Sequence, residues 1–310
     1  EAVTSRGYFY ATNVPSLPPS YIASVYDYAE ALHNLPLDQK RRCMRPHGTY
    51  SGGDIGLEEL PYEAGSTSTV RAWDYAKTSF ETMGQEYPDL LSPVDGLDFC
   101  SFLDDLYRRQ DVLARGLMRA FAEMLRLPGD AFEQHFAREG GDMGTIRLLH
   151  YPAAESLEEE RLREAANYGI SPHTDFEAFT LMHQNAPGLQ LLPPGGADWL
   201  DAPVKEEEFV VILGDVLERF TNGVLRATPH RVLEKPWART SIIRFNAMSP
   251  DTLVEPLPQF VSEERPARYT PVTMKRHMET TMANLEAGKG AWEHGVPGRS
   301  LTATYVYERP

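Results

Sequence analysis

Between residues 176 and 247 the chain breaks into short apolar or alternating runs, and no other feature constrains its fold as tightly. The runs are 176–183, 188–192, 208–213, 224–234 and 240–247, and Pro, Gly and Asn separate them. Strands this short, spaced this closely, predict an antiparallel sandwich or jelly roll. Thr145 to Tyr151 reads as a further strand after Gly140-Gly141, and residues 7–12 as a short aromatic one. Elsewhere the apolar period becomes helical. Residues 20–33 place Ile22, Val25, Tyr26, Ala29 and Leu32 on one face. Residues 101–126 carry a stripe of Leu103, Leu106, Val112, Leu113, Leu117, Ala120, Phe121 and Leu125. Ser101 reads as its N-cap, with Asp104 and Asp105 in the first turn and Pro128-Gly129 as its stop. Shorter helices are expected at 35–43, 130–137, 156–166 and 271–286, the third opened by a capping box of Ser156 and Glu159. Residues 44–66, with Gly48, Gly52, Gly53 and Gly56, read as a long loop. The composite is α+β in one compact domain spanning 1–310: a mainly helical part (1–141), a β core (142–250) and a helical extension (251–310).

Charge narrows the partners. With 45 acidic and 30 basic residues the net charge is −15, and nucleic acid and anionic membranes repel such a surface. The best basic cluster, Lys40 to Arg45, is short. No apolar run reaches the roughly 18–20 residues that span a bilayer, and Glu1-Ala-Val-Thr-Ser-Arg6 has no apolar stretch of the signal-peptide kind. The two cysteines, Cys43 and Cys100, lie in unrelated contexts and fit a reducing cytoplasm.

The chemistry concentrates in Ser171-Pro-His-Thr-Asp175. On extended backbone, residues two apart face the same way, so His173 and Asp175 can approach one ion. Pro172 biases Ser171 toward that conformation. His230, 57 positions later in Ala227-Thr-Pro-His-Arg-Val-Leu233, supplies a second imidazole. Two imidazoles and one carboxylate leave coordination positions open, as in non-haem Fe(II) oxygenases. Taken alone, His230 reads more readily as a surface or core histidine with no metal, since most histidines are not ligands. The rival pair His277-Met-Glu279 falls in an expected helix, where residues two apart diverge by about 200°. Zinc-hydrolase signatures, HExxH or a Cys/His cluster, are missing. His183 lies in an apolar run and is expected to be packed and hydrogen-bonded.

Arg239 and Ser241 share one strand face, which Ile243 and Phe245 continue inward. A guanidinium holds a carboxylate through two parallel hydrogen bonds, a hydroxyl adds a third, and a permanent cation in an apolar pocket needs an anion. The alternative is an arginine at a strand end facing solvent.

His173-x-Asp175, His230 and Arg239-x-Ser241, in this order, resemble the 2-oxoglutarate/Fe(II)-dependent dioxygenases of the isopenicillin N synthase-like family. The likeness extends to Leu125-Arg-Leu-Pro128, Leu149-His-Tyr-Pro152, Gly188-Leu-Gln-Leu191, Ile212-Leu-Gly-Asp215 and Thr221-Asn-Gly223, so it spans about residues 100 to 250. The resemblance implies a double-stranded β-helix core and a catalytic domain. It implies Fe(II) on His173, Asp175 and His230. It places 2-oxoglutarate on the iron through its C1 carboxylate and C2 oxo group, with its far carboxylate on Arg239, Ser241 and Tyr151. O2 is the implied oxidant, and succinate and CO2 are released as a small molecule of specialised metabolism is hydroxylated, desaturated or cyclised. Arg147, Phe176, Phe245 and His150 are pocket candidates; Arg147 either holds an acidic substrate or pairs with a surface Glu. Residues 44–66, helix 156–166 and the C-terminal helix are lid candidates. Leu149 stands where many plant relatives carry Asn, so a 2-oxoglutarate-independent Fe(II) oxidase remains the second reading and a non-catalytic jelly-roll module the third. No nucleic-acid or membrane partner is expected, and the motifs specify no oligomeric state.

Overall fold

The strands expected in the centre of the chain form two antiparallel sheets around a shared apolar interior. The computed structural model describes residues 2–36, 56–59, 70–75, 99–136, 142–159, 161 and 168–286. Its strands are β1 (Tyr8–Ala11), β2 (Gly56–Glu59), β3 (Arg71–Tyr75), β4 (Thr145–Tyr151), β5 (Tyr168–His173), β6 (Phe179–Gln184) and β7 (Leu189–Leu191). They continue with β8 (Leu200–Asp201), β9 (Phe209–Leu213), β10 (His230–Leu233), β11 (Arg239–Asn246), β12 (Leu253–Val254) and β13 (Val272–Thr273). The larger sheet runs β1-β9-β6-β11-β4-β3-β2, the smaller β5-β10-β7-β8, and β12 pairs with β13. Each of these pairings is antiparallel. This is the α+β jelly roll that the sequence predicts.

The larger sheet is buried on both faces. In β9, Val210 and Ile212 join an interior cluster with Leu149, Met182, Leu189, Leu191, Val232 and Ile243. Phe209, Val211 and Leu213 point the other way, into cores covered by helices. A strand with apolar partners on both sides reads as a continuous apolar run, which is why 208–213 shows no alternation. Each such side chain contributes roughly 1.5–3 kcal/mol by leaving water.

The helices are α1 (Ala2–Arg6), α2 (Pro19–His33), α3 (Phe99–Met124), α4 (Asp215–Phe220) and α5 (Met274–Glu286). In α2 the buried residues Ile22, Val25, Ala29 and Leu32 follow the i, i+3, i+4 pattern, and Pro19 opens the helix, where its missing N–H costs nothing. The stripe on α3 differs from expectation. Its buried line runs Leu103, Leu106, Tyr107, Gln110, Ala114, Met118, Phe121, Ala122, while Val112 is 64% exposed. The helix starts at Phe99, so Ser101 lies within its first turn and is not its cap. It ends with Leu127 N–H bonded to the Ala122 carbonyl and Arg126 N–H to the Glu123 carbonyl, Arg126 taking φ 58° where glycine is usual.

Several expectations are corrected. Residues 56–59 of the expected loop are strand β2, paired with β3; the rest of 44–66 lies outside the described residues, as do 37–43 of the expected helix 35–43. Within the described residues 130–136 only Glu133–His135 is helical, as a 3-10 turn. Ser156 Oγ accepts the Glu159 N–H, but the Glu159 carboxylate reaches back to the Glu155 N–H rather than to that of Ser156. Residues 160 and 162–167 lie outside the description. In 224–234 only 230–233 is strand. Helix α4 was not anticipated. Among the described residues no helix is long and apolar enough to cross a membrane.

Gly214 shows how α4 seats the loop between β5 and β6. The N–H groups of Gly214, Asp215 and Val216 bond to the carbonyls of Ala178, Asp175 and Glu177. A Cβ on Gly214 would lie 2.4 Å from the Glu177 oxygen and 3.0 Å from that of Asp175. Both obstacles are backbone, so Gly214→Ala is expected to cost about 1–3 kcal/mol. A urea-denaturation midpoint equal to that of the parent chain would contradict this packing.

Candidate active site

β5 and β10 are neighbours in the smaller sheet, and His173 is paired directly with His230. Strand pairing alone therefore sets the two rings side by side, with centroids 4.2 Å apart. Asp175 lies just beyond β5, in the loop that α4 holds. Its Oδ1 is 3.8 Å from His173 Nε2 and 3.6 Å from His230 Nε2. One donor atom from each of the three residues lies within 4.8 Å of the others.

The outer atoms of these side chains are tied down. His173 Nδ1 is 2.8 Å from the Ser171 carbonyl and His230 Nδ1 is 3.1 Å from the Thr228 carbonyl. A carbonyl only accepts, so both Nδ1 atoms carry the proton and both Nε2 lone pairs point to the centre. Burial, then the neighbouring His230, pushes the His173 imidazole down to about 4, which keeps it neutral and able to ligate. Thr180 Oγ1 donates to Asp175 Oδ2 at 2.5 Å, leaving Oδ1 for the histidines' side. Such outer partners orient ligands. Thr180→Val, which keeps shape but removes the donor, is expected to weaken divalent-metal binding about 10–100-fold. Calorimetric titration with Mn(II) checks this, and parent-like affinity would remove Thr180 from the centre's support.

Across the interior, β11 presents Arg239, Ser241, Ile243 and Phe245 on its inner side. Arg239 is only 2% exposed. Its Nη2 donates to Gln184 Oε1 at 3.0 Å, its Nε to the Ala186 carbonyl at 3.3 Å and its Nη1 to Ser241 Oγ at 3.5 Å. Its guanidinium carbon lies 5.0 Å from the centre of the Tyr151 ring, whose hydroxyl is buried with no hydrogen-bond partner. Burial pulls the Arg239 pKa below its ordinary value, yet a guanidinium stays charged. Among the described residues no carboxylate lies within 4 Å of it. Gly188 packs against this side chain: at φ 153°, its missing Cβ would lie 3.4 Å from Arg239 Cδ. Arg239 and Ser241 are thus brought together, as their spacing suggested, and Tyr151 beside them, as the resemblance implied; so are His173, Asp175 and His230.

The pocket candidates divide. Phe245 packs against the interior cluster. Arg147 also faces inward, 5.7 Å from the Phe245 ring, and forks onto buried Asp74 with two bonds of 2.6 Å. His150 points to the opposite face of β4, bonded to Thr240 Oγ1 and 5.2 Å from the His33 ring, so it does not line the interior. Phe176, in the loop after β5, packs into the helix-side core, and its carbonyl accepts a bond from His277 Nε2 on α5. His183 bonds to the Tyr26 hydroxyl and the Glu206 carbonyl, a packed histidine as expected. Sequence reasoning missed Thr180, Gln184 and Asp74. Thr180 and Gln184 share the inner face of β6 with Met182, and only an assigned strand register would have shown it.

A jelly roll that brings two imidazoles and one carboxylate to a point, with a buried arginine that no carboxylate approaches within 4 Å among the described residues, defines a class: a non-haem metal oxygenase that uses an acidic co-substrate. Comparison with known proteins makes that specific. Residues 144–247 match the 2OG-Fe(II) oxygenase superfamily, and the chain carries a domain of that family. It is an oxidoreductase of the 2-oxoglutarate-dependent dioxygenase kind, using Fe(II), 2-oxoglutarate and O2. Over 290 residues it is 28% identical to the 2-oxoglutarate-Fe(II) type oxidoreductase hxnY of Emericella nidulans, covering 89% of this chain and 80% of that one. It is 28% identical over 288 residues to the proline hydroxylase buaE of Petromyces alliaceus, covering 86% of each. Its fold is similar to that of a full-length Neurospora crassa protein crystallised in complex with alpha-KG and thymine, with a TM-score of 0.77 at 22% identity, covering 91% of this chain and 88% of that one.

Proposed function

We propose that His173, Asp175 and His230 hold the Fe(II), and that Arg239, Ser241 and Tyr151 hold the far carboxylate of 2-oxoglutarate. The buried Arg239, with no carboxylate within 4 Å among the described residues, carries this reading. A desolvated cation is costly alone, and a dicarboxylate reaching it from the metal centre supplies the missing charge. Ser241 and the unpartnered Tyr151 hydroxyl add donors for the same carboxylate. Bound iron supplies the activation of O2 that is coupled to 2-oxoglutarate decarboxylation. The chain's own residues fix neutral imidazole donors, aim the carboxylate and keep water out with an apolar wall of Leu149, Met182, Leu191 and Ile243.

We assign the substrate site to the inner side beside Arg147 and Phe245. Asp74 already neutralises Arg147, so this site suits a small polar molecule without net charge better than an anion. Proline, named for one relative, and thymine, bound in the similar structure, are both of that kind. Strands β1, β2 and β3 belong to the same sheet as the central strands, which supports one catalytic domain over the whole chain. With two separate cysteines and an acidic surface, we place the enzyme in the cytoplasm, without nucleic-acid or membrane partners, in specialised metabolism. The test is succinate and CO2 release with Fe(II), O2 and a panel of neutral or zwitterionic candidates. A chain that binds metal but has no affinity for 2-oxoglutarate would reject the clamp assignment.

A further inference from the structure

We propose that Gln184 is a positioning residue that keeps the Arg239 guanidinium aimed and free of any protein counter-charge, so that only an incoming carboxylate can neutralise it. This rests on the clamp reading above and deepens it. Gln184 and Ser241 are paired across β6 and β11, so both side chains meet the arginine from the same inner face. Gln184 Nε2 donates to the Ala202 carbonyl at 3.0 Å. A carbonyl cannot donate, so this bond decides which end of the amide turns inward: Oε1 must face Arg239, 3.0 Å from Nη2. Among the described residues, the acceptors bonded to the guanidinium are an amide, a backbone carbonyl and a hydroxyl, all neutral.

The chemistry of this one position controls the clamp. Glutamine satisfies a donor while leaving the charge uncancelled. Glutamate has nearly the same shape, but its carboxylate would form a buried ion pair with Arg239 and compete with the co-substrate for it. A leucine would leave the charge intact and lose the hydrogen bond that aims it, together with the bond to the Ala202 carbonyl.

The experiment titrates 2-oxoglutarate, and separately oxalate, into the Mn(II)-loaded full chain without oxygen. Oxalate can chelate the metal but is too short to extend to the clamp as well. In Gln184→Glu, 2-oxoglutarate affinity is expected to fall at least about thirtyfold, with oxalate and Mn(II) affinities kept within about twofold. In Gln184→Leu, the expected loss for 2-oxoglutarate is about fivefold, again with oxalate unchanged. This second variant carries the test if the glutamate variant does not fold. Unchanged 2-oxoglutarate affinity in the variant that folds, or equal losses for both anions, overturns the proposal. A parent chain that binds Mn(II) and oxalate but not 2-oxoglutarate overturns the clamp reading itself.

Discussion

Asp175→Ala is expected to abolish turnover and to weaken divalent-metal binding by more than about 100-fold, beyond the loss typical of a change to a residue that only supports a ligand. The aspartate is the only anion of the three candidate ligands, and its Oδ1 is the atom that both imidazole Nε2 groups approach. Removing it leaves two neutral donors to offset a divalent charge. It also leaves the Thr180 hydroxyl without its acceptor in a buried setting. The loop itself should survive, because α4 grips it through the backbone carbonyl of residue 175 and not through the side chain. Circular dichroism and the thermal midpoint would therefore stay close to those of the parent while calorimetric Mn(II) binding disappears. Turnover that persists in the variant would show that the metal sits elsewhere.

Arg239→Lys should separate the two halves of the site. The guanidinium meets three acceptors at once, at 3.0, 3.3 and 3.5 Å, and still faces the Tyr151 ring. An ammonium keeps the charge but cannot span those acceptors and offer a fork to a carboxylate as well. The affinity for 2-oxoglutarate is expected to fall about 10–100-fold, the loss of one strong charge-assisted contact. Mn(II) affinity should not change, since none of the arginine's bonds reaches His173, Asp175 or His230. The contrast with Asp175→Ala is diagnostic: that change removes the metal and with it the co-substrate. Equal loss of both ligands in Arg239→Lys would count against a dedicated carboxylate clamp.

The sequence showed those parts of the molecule in which one residue type has one reason to be where it is. His173 and Asp175 could be picked out because they stand two apart on backbone that Pro172 extends, and His230 and Arg239 because they follow in a fixed order and spacing that no single residue carries alone. Strand boundaries were also visible, with Thr145–Tyr151 matching β4 residue for residue. What stayed hidden depends on partners distant in the chain. Thr180 and Gln184 belong to a strand buried on both faces, so the polar–apolar alternation that would have marked its inner side is absent. Arg147 looked like a ligand for substrate or surface until Asp74, 73 positions away, took its fork. His150 is next to Tyr151 in β4, but adjacent strand residues face opposite ways, and the direction of Phe176 is set by an irregular loop that carries no periodic signal. Val112 fitted a helical stripe by hydropathy alone, and the line of α3 that is buried instead uses Tyr107, Gln110 and Met118.

The pairing of His173 with His230 makes the metal centre a reporter of strand alignment. Slide β10 by one residue along β5 and every side chain of that strand changes sides, carrying the second imidazole out of the barrel. Length changes between the two histidines are therefore harmless where turns absorb them and fatal where they shift the ladder, so variation that keeps the two imidazoles together is confined to the connections.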